Sequence, residues 1–280
     1  MNSSIRKEHA ELIHGHFCKV GKKNYAALKK ELPRLLKLAL GNHSLNFCFD
    51  LHKGNYALVD PRFYALTGQA PASDTVEKPK WLFMDMIHPD DLACVLTADK
   101  QAYHFFMALP AKEQAHFEMV CSFRMRGASG KYIRVFRRMK PFEYDMDNKL
   151  WLIHIIIDQL EFTASKKELH AWIFNTTNKK LRSMKGNIHE NKEFELVTAR
   201  QIEVLQMAVD GTATHIAAER LFISEKTVQG HHQTILSKTE SKNMVQAFHS
   251  LKILRLICNV IYLFMWNYFV DGWQTFLCLS

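Results

Sequence analysis

Residues 221–238 decide how the last third of the chain folds, and they read LFISEKTVQGHHQTILSK. Three apolar residues recur there at seven-residue spacing: Leu221, Val228 and Ile235. This spacing places them on one side of the helices they belong to, which is the side that a helix buries. Ser224 is a good N-cap for a helix that begins after it, and we expect Phe222 and Ile223 to pack the turn before it. The stretch therefore predicts two short helices joined by a tight turn.

The opposite side of the second helix is polar and carries few acids. It presents Lys226, Gln229, Gly230, Gln233 and Ser237 to solvent. Such a face suits the major groove of DNA, which is wide enough to admit a helix. Gln229 and Gln233 lie one turn apart and are suited to read base edges, because Gln pairs well with N6 and N7 of adenine. Gly230 leaves room for a close approach to the groove.

Contacts to phosphate are expected from a partly different set of side chains: Lys226, Thr227, His231 and Lys238. These contacts would set the register and the affinity rather than the sequence preference. For His231, a packing role that holds the helix to its neighbour stays open as an alternative. The candidate DNA-binding residues are therefore Lys226, Thr227, Gln229, Gly230, His231, Gln233 and Lys238.

The region also resembles the LuxR-type helix-turn-helix domain over roughly 55 residues, a specific motif match. The segment TARQIEVL at 198–205 is similar to the opening of that domain, and Gly211 follows at its first turn. Residues 221–228 then continue at the family's spacing, with His231, Ile235 and Lys238. The resemblance implies an all-α domain at 196–256 that binds double-stranded DNA, with a recognition helix at about 225–238, in a transcription regulator.

Some positions depart from the family pattern. Ala199 and Gln201 stand where the family usually has Pro and Glu, and Ala217 stands where Ile is usual. Gln229 stands where the family usually has Lys or Arg. The loss of that positive charge would lower the non-specific affinity for DNA by about one phosphate interaction. A second interpretation therefore stays open: an interaction protein whose helix-turn-helix has lost DNA contact and binds a partner instead.

Residues 42–160 have a sequence pattern that predicts both strands and helices. The segments 47–51 and 56–59 flank a turn and predict a β-hairpin. Asp60 and Pro61 predict the start of a short helix, and Gly68 predicts its end. A longer helix is expected from His88 to about Leu109, before Pro110. Three apolar or alternating runs then predict antiparallel strands at 117–125, 132–140 and 150–157.

This order of elements resembles a PAS domain. The resemblance implies a sensor module that controls DNA binding and favours a homodimer, with the signal left open between a small molecule and a protein. The chain as a whole is then α+β: a PAS-like antiparallel sheet with helices, followed by an all-α LuxR-type helix-turn-helix domain. Four histidines invite a haem hypothesis: His88, His104, His116 and His154. No local pattern marks an axial ligand, so no cofactor is predicted.

Composition narrows the class of protein. The chain has 280 residues, of which 48% are hydrophobic and 23% charged, as in ordinary two-domain globular proteins. Its six cysteines have no metal-ligand spacing and fit reduced thiols, and the N-terminus has no apolar secretory segment, so we expect a cytoplasmic protein without a metal. We find no nucleophile–base pair and no Gly-rich phosphate loop, and therefore expect no enzyme.

The net charge of +9 fits a polyanionic partner. It is unevenly distributed, because the span 200–252 has six Lys/Arg against five acids, whereas the N-terminal helical segment 1–41 has nine against three. The basic excess lies in this segment and in the connector 161–195. The stretch from Arg124 to Lys140 contains seven basic residues and no acidic residue. We expect this run to be a solvated sheet face, with DNA, an acidic partner or a second subunit as alternatives. Parts outside the helix-turn-helix should thus supply much of the electrostatic attraction.

Two further segments complete the domain plan. Residues 161–195 are expected to form a connector with a small hairpin around 175–178. Residues 257–280 form an apolar tail, of which the stretch 254–270 has the minimum length for a membrane helix. Arg255, Asn259 and Asn267 argue against a membrane span. Packing of the tail against a partner subunit or the sensor domain is the favoured interpretation.

Overall fold

The computed structural model describes residues 7, 11, 13, 15–40, 43–70, 83–160, 171–185, 188, 190–239 and 241–257. The chain forms two compact units, the first of residues 1–163 and 167–194 and the second of 164–166 and 195–280. The apolar tail from residue 258 onward lies outside the described residues, and so does its expected packing. Within the described ranges, no helix is long and apolar enough to cross a membrane.

Eight antiparallel strands form one sheet in the described part of the first unit. They are β1 (Leu45–Asp50), β2 (Asn55–Val59), β3 (Phe117–Arg126), β4 (Tyr132–Tyr144), β5 (Leu150–Leu160), β6 (Ala171–Asn175), β7 (Leu181–Ser183) and β8 (Glu193–Phe194). Their order across the sheet is β2-β1-β5-β4-β3-β6-β7-β8. The antiparallel sheet predicted from the alternating runs is confirmed, including the β1–β2 hairpin, whose turn contains Gly54 at φ 64.

The sheet continues beyond residue 160. Strand β6 pairs with β3 from Phe117 opposite Asn175 to Cys121 opposite Ala171, and β7 pairs with β6. The segment expected to be a connector thus contributes three strands, and its hairpin lies inside the sheet. Without β6, the long strand β3 would expose a row of unpaired backbone groups at the sheet edge.

Helices occupy both units. They are α1 (Lys22–Leu40), α2 (Arg62–Thr67), α3 (Pro89–Met107) and α4 (Ala111–Gln114) in the first, and α5 (Ala199–Val209), α6 (Thr214–Leu221), α7 (Glu225–Thr239) and α8 (Met244–Ile253) in the second. The predicted end of α2 is confirmed, because Gly68 adopts φ 71 and donates its N–H to Tyr64 O at 2.8 Å. A Cβ on Gly68 would lie 3.2 Å from Ala128, so this position favours glycine twice over.

The main core lies between one face of the sheet and helices α2 and α3. Its centre is a group of aromatic rings in edge-on contact: Phe47, Tyr56, Phe63 and Phe83. Helix α3 begins where predicted, since the His88 ring accepts a hydrogen bond from Asp90 N at 3.2 Å. The core therefore fixes α2 and α3 against the strands that the sequence pattern predicts.

The N-terminal segment packs against the other face of the sheet. Cys48 alternates with Phe47 and Phe49 along β1 and so faces away from the main core. A smaller apolar cluster forms around it: Cys18, Leu28, Cys48, Trp151 and Leu152. Residues 16–21 are not helical, and α1 starts only at Lys22. Helix α1 thus lies on the face of the sheet opposite the main core.

The seven basic residues from Arg124 to Lys140, here called the basic strand run, form the expected solvated face only in part, at the exposed Arg126 and Lys131. Arg134, Arg137 and Arg138 are buried. Arg137 donates through both terminal nitrogens to Asp99, one of the contacts being 3.2 Å, and Arg138 donates to Asp158 at 3.1 Å. Arg124 holds Asp91 with distances of 2.6 and 3.1 Å. The expectation is wrong for the buried part of the run, because carboxylates distant in sequence pair with Arg124, Arg137 and Arg138 inside the fold.

Candidate nucleic-acid interface

Helix α7 is held in the second unit by its apolar side. Val228 and Ile235 are fully buried, and Leu221 at the end of α6 is 7% exposed. The predicted cap at Ser224 is confirmed, because its hydroxyl accepts a hydrogen bond from Thr227 N at 3.1 Å. The helix is therefore fixed at its start by a cap and along its length by two buried side chains.

The opposite side of α7 is open to solvent. The exposed residues of this helix are Glu225, Lys226, Thr227, Gln229, Gly230, Gln233, Ser237 and Lys238. A Cβ on Gly230 would meet no atom within 4 Å, so the surface is flat and open at that point. Neither Lys226 nor Lys238 forms an ion pair within the described residues. Gln229, Gln233 and the Lys226 ammonium group thus share one open helix face, while Lys238 is exposed on another side of the last turn.

The structure brings the seven sequence-predicted site residues onto one helix, with differences in their environment. His231 and its neighbour His232 are half-buried, so the packing alternative for His231 stays open. The hydroxyl of Thr227 lies 2.8 Å from that of Ser224, so it also serves the helix cap. Burial lowers the pKa of His232, and the neighbouring His231 lowers it further.

Helix α5 supports α7 and begins with a reciprocal cap. Thr198 N donates to Gln201 Oε1 at 3.0 Å, and Gln201 N donates to the Thr198 hydroxyl at 3.3 Å. Gln201 is 7% exposed. An amide at this position therefore completes the capping box without the negative charge of a glutamate.

Comparisons with known proteins match both units. The model of bacterial regulatory proteins of the luxR family matches residues 195–251, and the PAS fold model matches residues 56–157. Residues 195–251 are a luxR-family helix-turn-helix domain. Residues 56–157 adopt a PAS fold.

Curated relatives match the luxR-family domain. The transcriptional regulatory protein DegU of Brevibacillus brevis is 38% identical over 60 residues, 21% of this chain and 25% of DegU. The uncharacterized transcriptional regulatory protein YxjL of Bacillus subtilis (strain 168) is 38% identical over 63 residues, 22% of this chain and 29% of YxjL. The chain thus spans about a quarter of the length of these relatives, both of which are transcriptional regulatory proteins by name.

Similar solved structures extend over both units. The VqmA–ligand–DNA complex of Vibrio cholerae has 18% identity, covering 79% of this chain and 88% of VqmA, with a TM-score of 0.31. The phage VqmA–DPO complex has 12% identity, covering 81% of this chain and 90% of that chain, with a TM-score of 0.34.

The turn of the luxR-family domain differs from expectation. Phe222 adopts a left-handed conformation with φ 52 and is 94% exposed, while Ile223 is half-buried. The prediction that Phe222 packs the turn is wrong. As the C-cap of α6, its N–H bonds back to the last turn of that helix, and this conformation directs the side chain into water.

Sequence reasoning missed one residue that joins the helices of this domain. The Arg200 guanidinium on α5 donates to the backbone oxygen of Leu221 at the end of α6, and to Glu203 at 2.7 Å. A cation at a helix C-terminus complements the helix dipole. No local pattern could reveal this contact, because the two residues lie 21 positions apart in the chain.

Of the four histidines considered as haem ligands, His88 and His104 lie at opposite ends of α3, while His116 and His154 lie on other parts of the first unit. His88 caps α3, and its ring contacts that of Tyr132 in a tilted arrangement with centroids 4.4 Å apart. His154 on β5 lies 3.0 Å from Asn46 Oδ1, and His116 lies 3.2 Å from the Thr177 hydroxyl. Each of these three rings has a structural partner, and no group of three metal-ligating side chains is found among the described residues.

Proposed function

We propose that the protein is a transcription regulator in which α7 enters the major groove of an operator. The supporting observation is the open face of α7, where Gln229 and Gln233 flank Gly230 above the buried Val228 and Ile235. Gln229 and Gln233 read base edges, and Gly230 lets the helix approach them. Lys226, Thr227, His231 and Lys238 contact phosphates and fix the register.

In this proposal the PAS fold governs DNA binding, and the protein acts in the cytoplasm as a homodimer. A small molecule or a protein signal at the PAS fold changes the dimer geometry or the docking of the luxR-family domain, which frees or positions the two copies of α7. A two-fold dimer requires a two-fold operator, with half-sites spaced by whole turns of the duplex.

The test is selection of bound sequences from a random duplex pool with the full-length protein. We expect an inverted repeat to emerge, because a homodimer presents two copies of α7 related by two-fold symmetry. A single half-site would contradict the dimer. The absence of any preference over random duplex at moderate salt would contradict DNA reading and favour partner binding by the helix-turn-helix.

Substitutions sharpen this test. Gln229→Ala and Gln233→Ala should each reduce discrimination by about 1–3 kcal/mol at one base position, with little loss of non-specific affinity. Gln206→Ala is the matched control, because Gln206 is also an exposed helical glutamine but lies on α5, where it bonds Asp210 at 2.9 Å. An equal effect of all three substitutions would contradict the assignment of base reading to α7.

A further inference from the structure

Helix α1 carries a row of basic side chains whose charge the described fold does not neutralise. Lys23, Lys30, Arg34 and Lys37, here called the α1 basic stripe, are all exposed. The described residues offer the three lysines no carboxylate within 4 Å. Arg34 has only Glu31, at 3.9 Å across an exposed contact, which is a weak pair. The stripe therefore presents nearly its full charge to solvent.

The stripe is held rigidly by the other side of the helix. The Tyr25 hydroxyl donates to the buried Asp50 at 2.9 Å, and its ring contacts Trp151 edge-on with centroids 5.4 Å apart. Leu28 is buried in the same cluster, and Leu32 packs against it. At 3.6 residues per turn, the stripe lies on the side opposite Tyr25, Leu28 and Leu32. The basic side chains thus form a fixed line on the surface of the first unit.

Its charge and dimensions suit a duplex backbone. The stripe runs from Lys23 to Lys37, about 21 Å at ~1.5 Å per residue. Duplex DNA rises about 3.4 Å per base pair and carries two phosphates per pair, so this length faces about six base pairs. Because phosphates recur along a duplex of any sequence, a line of cations on a helix adds affinity without sequence preference.

The luxR-family domain carries little net positive charge of its own with which to attract DNA. Its span 200–252 carries six Lys/Arg against five acids, and only Lys226 and Lys238 on α7 are cationic without counting histidines. In the basic strand run, Asp91, Asp99 and Asp158 pair with three of the seven basic residues. Helix α1, by contrast, has six Lys/Arg and one Glu.

We infer that the α1 basic stripe is a second DNA-contacting surface, which binds the phosphates of the duplex that the luxR-family domain reads. This inference rests on the proposed function. Lys23, Lys30 and Lys37 each neutralise a phosphate and displace counterions on binding. They supply affinity and salt dependence, while Gln229 and Gln233 supply sequence preference.

The experiment measures the affinity of the full-length protein for its selected duplex between 50 and 200 mM salt. The variant K23Q/K30Q/K37Q should lower the slope of log K against log salt by up to ~0.9 per lysine, so that its loss of affinity over this range is up to about 40-fold smaller than that of the wild type. The charge-preserving variant K23R/K30R/K37R should keep the wild-type slope. Each single Lys→Gln variant gives a smaller change of the same sign, should the triple variant fold poorly.

The matched control is K112Q/K131Q/K192Q, which removes the same charge from exposed lysines elsewhere in the first unit. A slope unchanged in the stripe variant overturns the inference, as does an equal change in the control, which would reflect net charge alone. If the stripe variant instead loses binding to phosphatidylserine vesicles at an unchanged DNA slope, the surface serves a membrane and the inference fails. If the wild type does not bind DNA, the proposed function is overturned together with the inference. If the wild type binds DNA and the stripe variant keeps the wild-type slope, only the inference is overturned.

Discussion

The basic strand run and the α1 basic stripe look alike in the sequence but meet different surroundings in the fold. In the strand run, Arg137 and Arg138 have side chains only 6% and 9% exposed and are paired with Asp99 and Asp158. In the stripe, each cationic side chain is exposed on a helix whose only acid is Glu31. The same residue types therefore stabilise the fold in one region and stay available to a partner in the other.

The comparison teaches that a count of charges does not locate a binding surface. Seven basic residues without an intervening acid favoured a solvated face, yet carboxylates from α3 and β5 reach them in the fold. A buried guanidinium that has a carboxylate partner cannot also neutralise a phosphate without breaking its pair. The charge that remains open to a partner is thus smaller than the net charge of the chain and lies elsewhere.

The largest expected effect comes from Asp99→Asn. It leaves the Arg137 guanidinium buried without a counter-charge, which should lower the free energy of unfolding by about 3–5 kcal/mol. Urea unfolding followed by tryptophan fluorescence measures it. A loss below about 1 kcal/mol would mean that the Arg137–Asp99 pair contributes no more to stability than an exposed ion pair does.

A smaller effect is expected at Asp91, whose carboxylate accepts hydrogen bonds from Arg124. Burial alone would raise its pKa, but the bonds and charge of Arg124 outweigh burial and lower it. The stabilisation is therefore present above the ordinary value of 3.8 and is lost as pH falls through the lowered pKa. Asp91→Asn should cost about 1.5–3 kcal/mol at neutral pH and flatten the acid limb of the stability profile. An acid limb identical to that of the wild type would contradict this pairing.

Gly230→Ala extends the comparison to α7, where an open surface has a cost in stability. Glycine inside a helix is less favourable than alanine by about 0.5–1 kcal/mol, and no atom lies within 4 Å of the added methyl group. The variant should therefore unfold at higher temperature while binding the operator more weakly. Thermal unfolding measures the gain in stability, and titration with the operator measures the loss of affinity. A variant that is both more stable and tighter in binding would contradict the placement of Gly230 in the groove.

The smallest effect is expected at Lys30→Gln in the stripe. Because the ammonium group has no partner among the described residues, the free energy of unfolding should stay within about 0.5 kcal/mol of the wild type. Urea unfolding of Lys30→Gln and Asp99→Asn under the same conditions compares the two losses of stability directly. A loss comparable to that of Asp99→Asn would mean that the stripe stabilises the fold.

Much of the candidate site was predictable because its determinants are local. The burial of Val228 and Ile235 follows from their spacing on one helix, and the Ser224 cap follows from its position before that helix. The exposure of Phe222 was not predictable in this way. An aromatic residue in a turn usually gains by burial, but the left-handed C-cap conformation fixes the direction of its side chain first.

The sequence by itself determined the hairpin, the end of α2, the start of α3 and the polar face of α7, because each depends on periodicity, caps and turn residues within a few positions. Only the tertiary structure decided which charges stay open, that β6 completes the edge of β3, and that Arg200 bonds the end of α6. These outcomes depend on residues that lie 20 to 58 positions apart and meet only when the chain has folded. Long-range pairing of charges and strands leaves no periodic trace along a single chain.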